Sequence, residues 1–76
     1  MAPLNPRVQR DEFKAFVGKK VMIGTRSYHY VSGRLARLIE EKDELEVHVH
    51  DDVVLVPLGE VANIQEAPES QAEYVK

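Results

Sequence analysis

The chain of 76 residues has no cysteine. That excludes disulfides and thiolate metal centres together, two of the usual supports of a small core. A protein near this length buries only about 60% of the surface its unfolded chain exposes. Oligomerisation is then the expected remedy. Absence of cysteine also suits an intracellular setting. No apolar run is long enough to span a membrane. The opening Met1-Ala2-Pro3-Leu4-Asn5-Pro6 lacks an apolar core of signal-peptide size. A soluble cytoplasmic protein without a membrane partner is expected. Also missing are a nucleophile elbow, a glycine-rich phosphate loop and a readable acid–base pair. Ser27 and Ser32 have no recognisable base, and Glu40, Glu41, Asp43 and Glu44 read as a solvated loop. A non-catalytic protein without a cofactor follows.

What is present is a charge asymmetry. Residues 1–38 carry eight basic side chains (Arg7, Arg10, Lys14, Lys19, Lys20, Arg26, Arg34, Arg37) against two acids, a net of +6. Residues 39–76 carry two lysines against eleven acids, a net of −9. A basic half can bind phosphates if the fold gathers its charge on one face. The competing expectation is that these cations solvate surfaces and pair with the acidic half.

The elements follow in order. Asn5-Pro6 opens a helix, as N-cap and first helical residue, with Asp11 a competing, later N-cap, and Gly18 closes it. Phe13, Phe16 and Val17 make an apolar stripe on this helix of about 6–17. Five strands are expected over about 19–65. The first, Lys19–Thr25, is apolar on both faces and therefore well covered. A long second strand is centred on Val31-Ser32-Gly33-Arg34-Leu35. Gly33 weakens a strand, which points to a sharp bend, a bulge or a close backbone approach. Beyond Ala36 the alternation slips at Leu38-Ile39, as a bulge requires. Leu45, Val47 and Val49 alternate with Glu46 and His48. Val53-Val54-Leu55-Val56 is a short apolar strand, Pro57-Leu58-Gly59-Glu60 breaks it, and Val61–Gln65 is the last. From residue 67 to 76 the chain is small, polar and acidic, and reads as a disordered tail. The fold class is mainly β: an N-terminal helix, then a five-stranded, strongly bent antiparallel sheet. Its two short apolar strands, exposed as edges, invite pairing with other chains.

In these features the chain resembles the Sm and Sm-like family, including bacterial Hfq. Val31-Ser32-Gly33-Arg34-Leu35 is similar to the hydrophobic-x-Gly-x-hydrophobic centre of that family's second strand. Val56, Val61 and Ile64 fall at the hydrophobic positions of its second motif. The resemblance spans roughly residues 8 to 66 and assigns residues 1–66 to one Sm-like domain, a small barrel. It implies a closed ring in which the fourth strand of one subunit pairs with the fifth of the next, with Val54, Val56, Val61 and Ile64 at the seam. It also implies single-stranded RNA as the ligand. The chain departs from the family at the base-holding positions. Lys42 and Glu46 stand where the family has Asp and Asn, and Pro57-Leu58 replaces its Arg-Gly or Lys-His pair. A carboxylate only accepts hydrogen bonds and repels phosphate, and Pro57 and Leu58 offer no side-chain donor.

Outside that resemblance, Arg26 and Tyr28 lie near a turn where a cation and a stacking ring hold a single strand. Arg34, Arg37 and Lys42 complete the candidate RNA contacts. His48 and His50, with Asp51 and Asp52 beside them, are the only metal candidates; His-x-His is short and common, so no metal is expected. The leading expectation is a non-catalytic RNA-binding ring of five to eight identical subunits. The alternative is a structural or protein-interaction ring that has lost the nucleotide pocket.

Overall fold

The computed structural model describes residues 11–76. Asp11–Lys14 forms a helical turn, and Ala15, Phe16 and Val17 donate to carbonyls three residues back. The expected helix start lies outside the described residues; within them the helix ends earlier than expected, at Lys14. Gly18 then reverses the chain at φ +86° and donates to the Leu35 carbonyl at 2.8 Å. A positive φ there is the reason for glycine.

Six strands follow: β1 (Lys20–Thr25), β2 (Tyr30–Ile39), β3 (Glu44–Val49), β4 (Asp52–Pro57), β5 (Val61–Glu66) and β6 (Tyr74–Val75). All pairings are antiparallel, and the sheet order is β4-β3-β2-β1-β5 with β6 beside β2. The protein is mainly β, as expected. Val21, Ile23, Val31, Leu35, Leu45, Val47, Val49 and Val56 form the core, closed at one side by Phe13.

Gly33 resolves to a close approach. A Cβ there would lie 2.5 Å from the His48 carbonyl oxygen, inside van der Waals contact. The bulge falls just beyond it. Leu35 pairs with Val47 and Arg37 with Glu46, leaving Ala36 unmatched. An unmatched residue re-aims the strand and increases its twist.

The curl of the sheet is fixed by one short connection. Leu58–Glu60 is a 3₁₀ turn. The Leu58 N–H donates to Asp43 O, and Glu60 O accepts from the Arg26 N–H, each at 2.8 Å. Asp43 and Arg26 lie at opposite ends of the ten-residue β2. An extended strand of that length covers about 33 Å, whereas three residues reach about 10 Å. The sheet must therefore bend until both ends come within reach. It nevertheless stays open: among the described residues β4 pairs only with β3, and β5 only with β1.

The segment expected to be a disordered tail is part of the fold. Ala67 is buried and donates to Lys20 O at 2.8 Å. Residues 68–73 cross the face of β1 and β2 opposite the core, and β6 pairs Tyr74 and Val75 with Ser32 and Val31. The reason lies in particular side chains. The strap brings carboxylates to Lys20 and Arg34, Gln71 to Ser32 and Tyr74 to Met22. Its composition resembles disorder, but its order of residues matches the face beneath.

The named seam residues mostly point inward. Val56 is in the core, and Val54, Val61 and Ile64 pack against it. The exposed apolar residues of β4 are Val53 at 58% and Leu55 at 44%.

Candidate functional site

The β1–β2 turn is closely tied. Thr25 N–H donates to His29 O at 2.9 Å, His29 N–H to Thr25 Oγ1 at 3.1 Å, and Tyr28 N–H to Thr25 O at 3.1 Å. His29 Nδ1 lies 3.0 Å from Lys76 O, which joins the turn to the end of the strap. This network holds Tyr28 at φ +65°, with the residue 89% exposed. A tyrosine in the left-handed region is uncommon and persists only where its surroundings impose it. The turn thus presents a ring to solvent on a fixed backbone.

Beside it, Arg26 lines a cavity of about 340 Å³ with Glu12, Phe13, Val61, Ala62, Asn63 and Ile64. That volume is at the lower end of small-molecule pockets, roughly 300–1,000 Å³. Arg26 makes no ion pair among the described residues. Asn63 is a residue the sequence reading missed. Its amide can both donate and accept, and it occupies the space left by Gly24, where a Cβ would lie 2.8 Å from Asn63 Nδ2. The signal available was the glycine in β1 directly opposite an asparagine in β5.

Two of the other candidate cations, Arg34 and Arg37, are engaged. Arg34 contacts Glu69 at 2.6 Å and donates to Gly18 O at 2.8 Å. Arg37 Nε donates to Glu46 Oε1 at 3.1 Å, and His48 Nε2 lies 2.9 Å from Glu46 Oε2. The His48 hydrogen bond, and after it that of Arg37, hold the Glu46 carboxyl below its ordinary value. Lys14, Lys19 and Lys20 pair with Glu40, Glu66 and Glu73. Arg7 and Arg10 lie outside the described residues. The basic half is thus largely matched by the acidic half, although the exposed pairs among these add little net stability, and only Lys20 is buried.

The positions that depart from the family pattern separate into two roles. Lys42 is exposed in the β2–β3 turn, while Glu46 is held by Arg37 and His48. Pro57 ends β4 and Leu58 packs toward the core, so both serve the short 3₁₀ connection. His48 and His50 engage different partners: His50 Nε2 lies 2.9 Å from Glu73 O. Among the described residues no group of three metal-ligating side chains converges.

No protein-family model matches the chain, and no curated protein matches it significantly.

Proposed function

We propose that this protein is a non-catalytic assembly module of the Sm-like kind, whose subunits join edge to edge into a closed homo-oligomeric ring of five to eight copies. The observation that carries this reading is the pair of edges, β4 and β5, at opposite ends of one curled sheet, left unpaired among the described residues. Unpaired backbone donors and acceptors on a strand edge template another strand. Two different edges on one subunit make the contact head-to-tail, and head-to-tail contacts close into rings when the rotation permits. Exposed Val53 and Leu55 add apolar area to the β4 side.

The ligand of the ring, on this reading, is single-stranded RNA. Arg26 meets a phosphate, Tyr28 stacks on a base, and Asn63 in the adjoining cavity supplies a two-way hydrogen-bonding amide. Each such site is weak, and repetition around a ring supplies avidity. Native mass spectrometry of the full chain tests the ring; a monomer at all concentrations contradicts it. Fluorescence anisotropy with U-rich and A-rich oligoribonucleotides tests the ligand. Binding should weaken with salt, as phosphate contacts require, and fall on Arg26→Ala or Tyr28→Ala.

A second reading is a protein-interaction ring without RNA. It is favoured by the five cations of residues 11–38 that are already paired with carboxylates. No oligoribonucleotide binding at low salt, with the oligomer intact, would decide for it.

A further inference from the structure

The face of β1 and β2 opposite the core constrains the chemistry of whatever covers it. Lys20 and Arg34 are direct cross-strand partners. Like charges placed opposite one another destabilise a sheet, and Lys20 is only 8% exposed. A covered cation needs a partner or it costs stability. The cover must therefore bring acceptors to both cations. The strap does so: Glu73 Oε2 lies 3.8 Å from Lys20 Nζ, Glu69 O accepts from Lys20 Nζ at 3.0 Å, and Glu69 Oε2 pairs with Arg34. Next along the face come Met22 and Ser32. Gln71 donates to Ser32 Oγ at 3.2 Å, and Tyr74 OH lies 3.5 Å from Met22 Sδ. Val75 finally pairs with Val31 on a part of β2 that β3 does not reach.

The face is thus a receptor for an extended acidic peptide, and it holds the strap through polar contacts and backbone pairing with little burial. Ala67 is the only buried strap residue, and β6 is two residues long. The Arg34–Glu69 pair is largely open to solvent, with the Glu69 side chain 70% exposed. Segments with few buried groups and little pairing open at low free energy.

We propose that this face is an exchangeable docking site that accepts, from a separate partner protein, an extended acidic segment with the strap's pattern: two glutamates four residues apart, then an aromatic and a β-branched residue. The partner adds a strand to the edge of β2 at Tyr30–Ser32 and places its carboxylates at Arg34 and Lys20. Main-chain pairing gives such peptides affinity, and side-chain pockets give them specificity. The tethered strap competes at an effective concentration of about millimolar order. The strap already pairs along the free edge of β2 from Tyr30 to Ser32, so a successful partner must gain its advantage from side-chain contacts at Lys20 and Arg34. This proposal needs neither the ring nor RNA.

The test uses the full chain and a fluorescent synthetic peptide of residues 66–76. In the E69Q/E73Q chain the strap loses its charge-assisted contacts, so the unmodified peptide should bind at least about tenfold tighter than to the unmodified chain. A peptide of the same composition with the glutamates moved should bind at least about tenfold more weakly. Arg34→Glu in the same chain should abolish binding while the circular dichroism spectrum stays that of a sheet. Hydrogen exchange should slow at Tyr30 and Ser32, whose N–H groups face the strap side of β2, on peptide addition. Equal affinity for both peptides, or none for either, overturns the proposal. So does displacement of the peptide by an oligoribonucleotide at comparable concentration, which makes the face a nucleic-acid site. Strap exchange between copies of the E69Q/E73Q chain, seen as a dimer that excludes the peptide, also overturns it by making a second copy the occupant.

Discussion

The two faces of β1 are both covered, by opposite means. On one, Val21 and Ile23 are fully buried against apolar neighbours from β2, β3 and the first turn. On the other, Lys20 and Met22 meet a crossing strap through single polar contacts with Glu69, Glu73, Gln71 and Tyr74. The apolar face asks only for volume and hydrophobicity, so many residues would satisfy it. The polar face asks for particular partners at particular positions. Burial on the first contributes most of the stability, about 1.5–3 kcal/mol for each large side chain. The second contributes selectivity about which segment lies there.

Substitutions should separate the faces. The largest effect is expected from Ile23→Ala, which empties the apolar side and should cost about 2–5 kcal/mol in denaturant unfolding. Gly33→Ala comes next. It forces a methyl against the His48 carbonyl and should cost about 1–3 kcal/mol, with shifted NMR signals along β3. Removing the Arg34–Glu69 contact by Glu69→Gln should change global stability by less than about 1 kcal/mol. It should nevertheless raise hydrogen exchange at Tyr30 and Ser32, and an unchanged exchange rate would show the strap to be held some other way.

Acid offers a gentler separation. The backbone N–H of His50, 2.7 Å from Glu73 Oε1, lowers the pKa of Glu73; the Lys20, His50 and Arg34 charges add to the lowering, against desolvation. A carboxyl with a depressed folded value contributes fully above its unfolded value, near 4.3. That contribution is lost as pH falls through the folded value. Hydrogen-exchange protection of the strap, corrected for the intrinsic rate, should therefore fall below about pH 4. Glu46, depressed by His48 and Arg37, follows the same sign on the outer face of β3. The smallest structural effect is expected from Val53→Asp, whose exposed side chain leaves the fold intact while dissociating any assembly through β4. An unchanged mass in native mass spectrometry would remove β4 from the seam.

Much of the sheet was legible because its signals are local. Leu45, Val47 and Val49 alternate cleanly, Pro57 stops a strand, and the slip after Ala36 marks the bulge. Gly33 was legible as an anomaly, and the His48 carbonyl beneath it supplies the reason. The strap was not legible. Its residues lack periodicity, and their partners lie 23 to 52 positions earlier in the chain. Composition cannot report a match of that range. The candidate site divided similarly. Arg26 and Tyr28 stand at a turn that local signals mark, whereas the pairing of Arg34 and Arg37 depends on which acids the fold brings across. Asn63 matters only because Gly24 makes room for it in another strand.

The short 3₁₀ connection has one more consequence. Sliding β2 by a single residue would turn its core side chains outward. With Leu58 bonded to Asp43 and Glu60 to Arg26, such a slip must break contacts at both ends together. Three residues thus act as a ratchet pawl on the longest strand. A sheet with two open borders is otherwise free to meet its neighbours in several alignments. This one offers them a single reading frame.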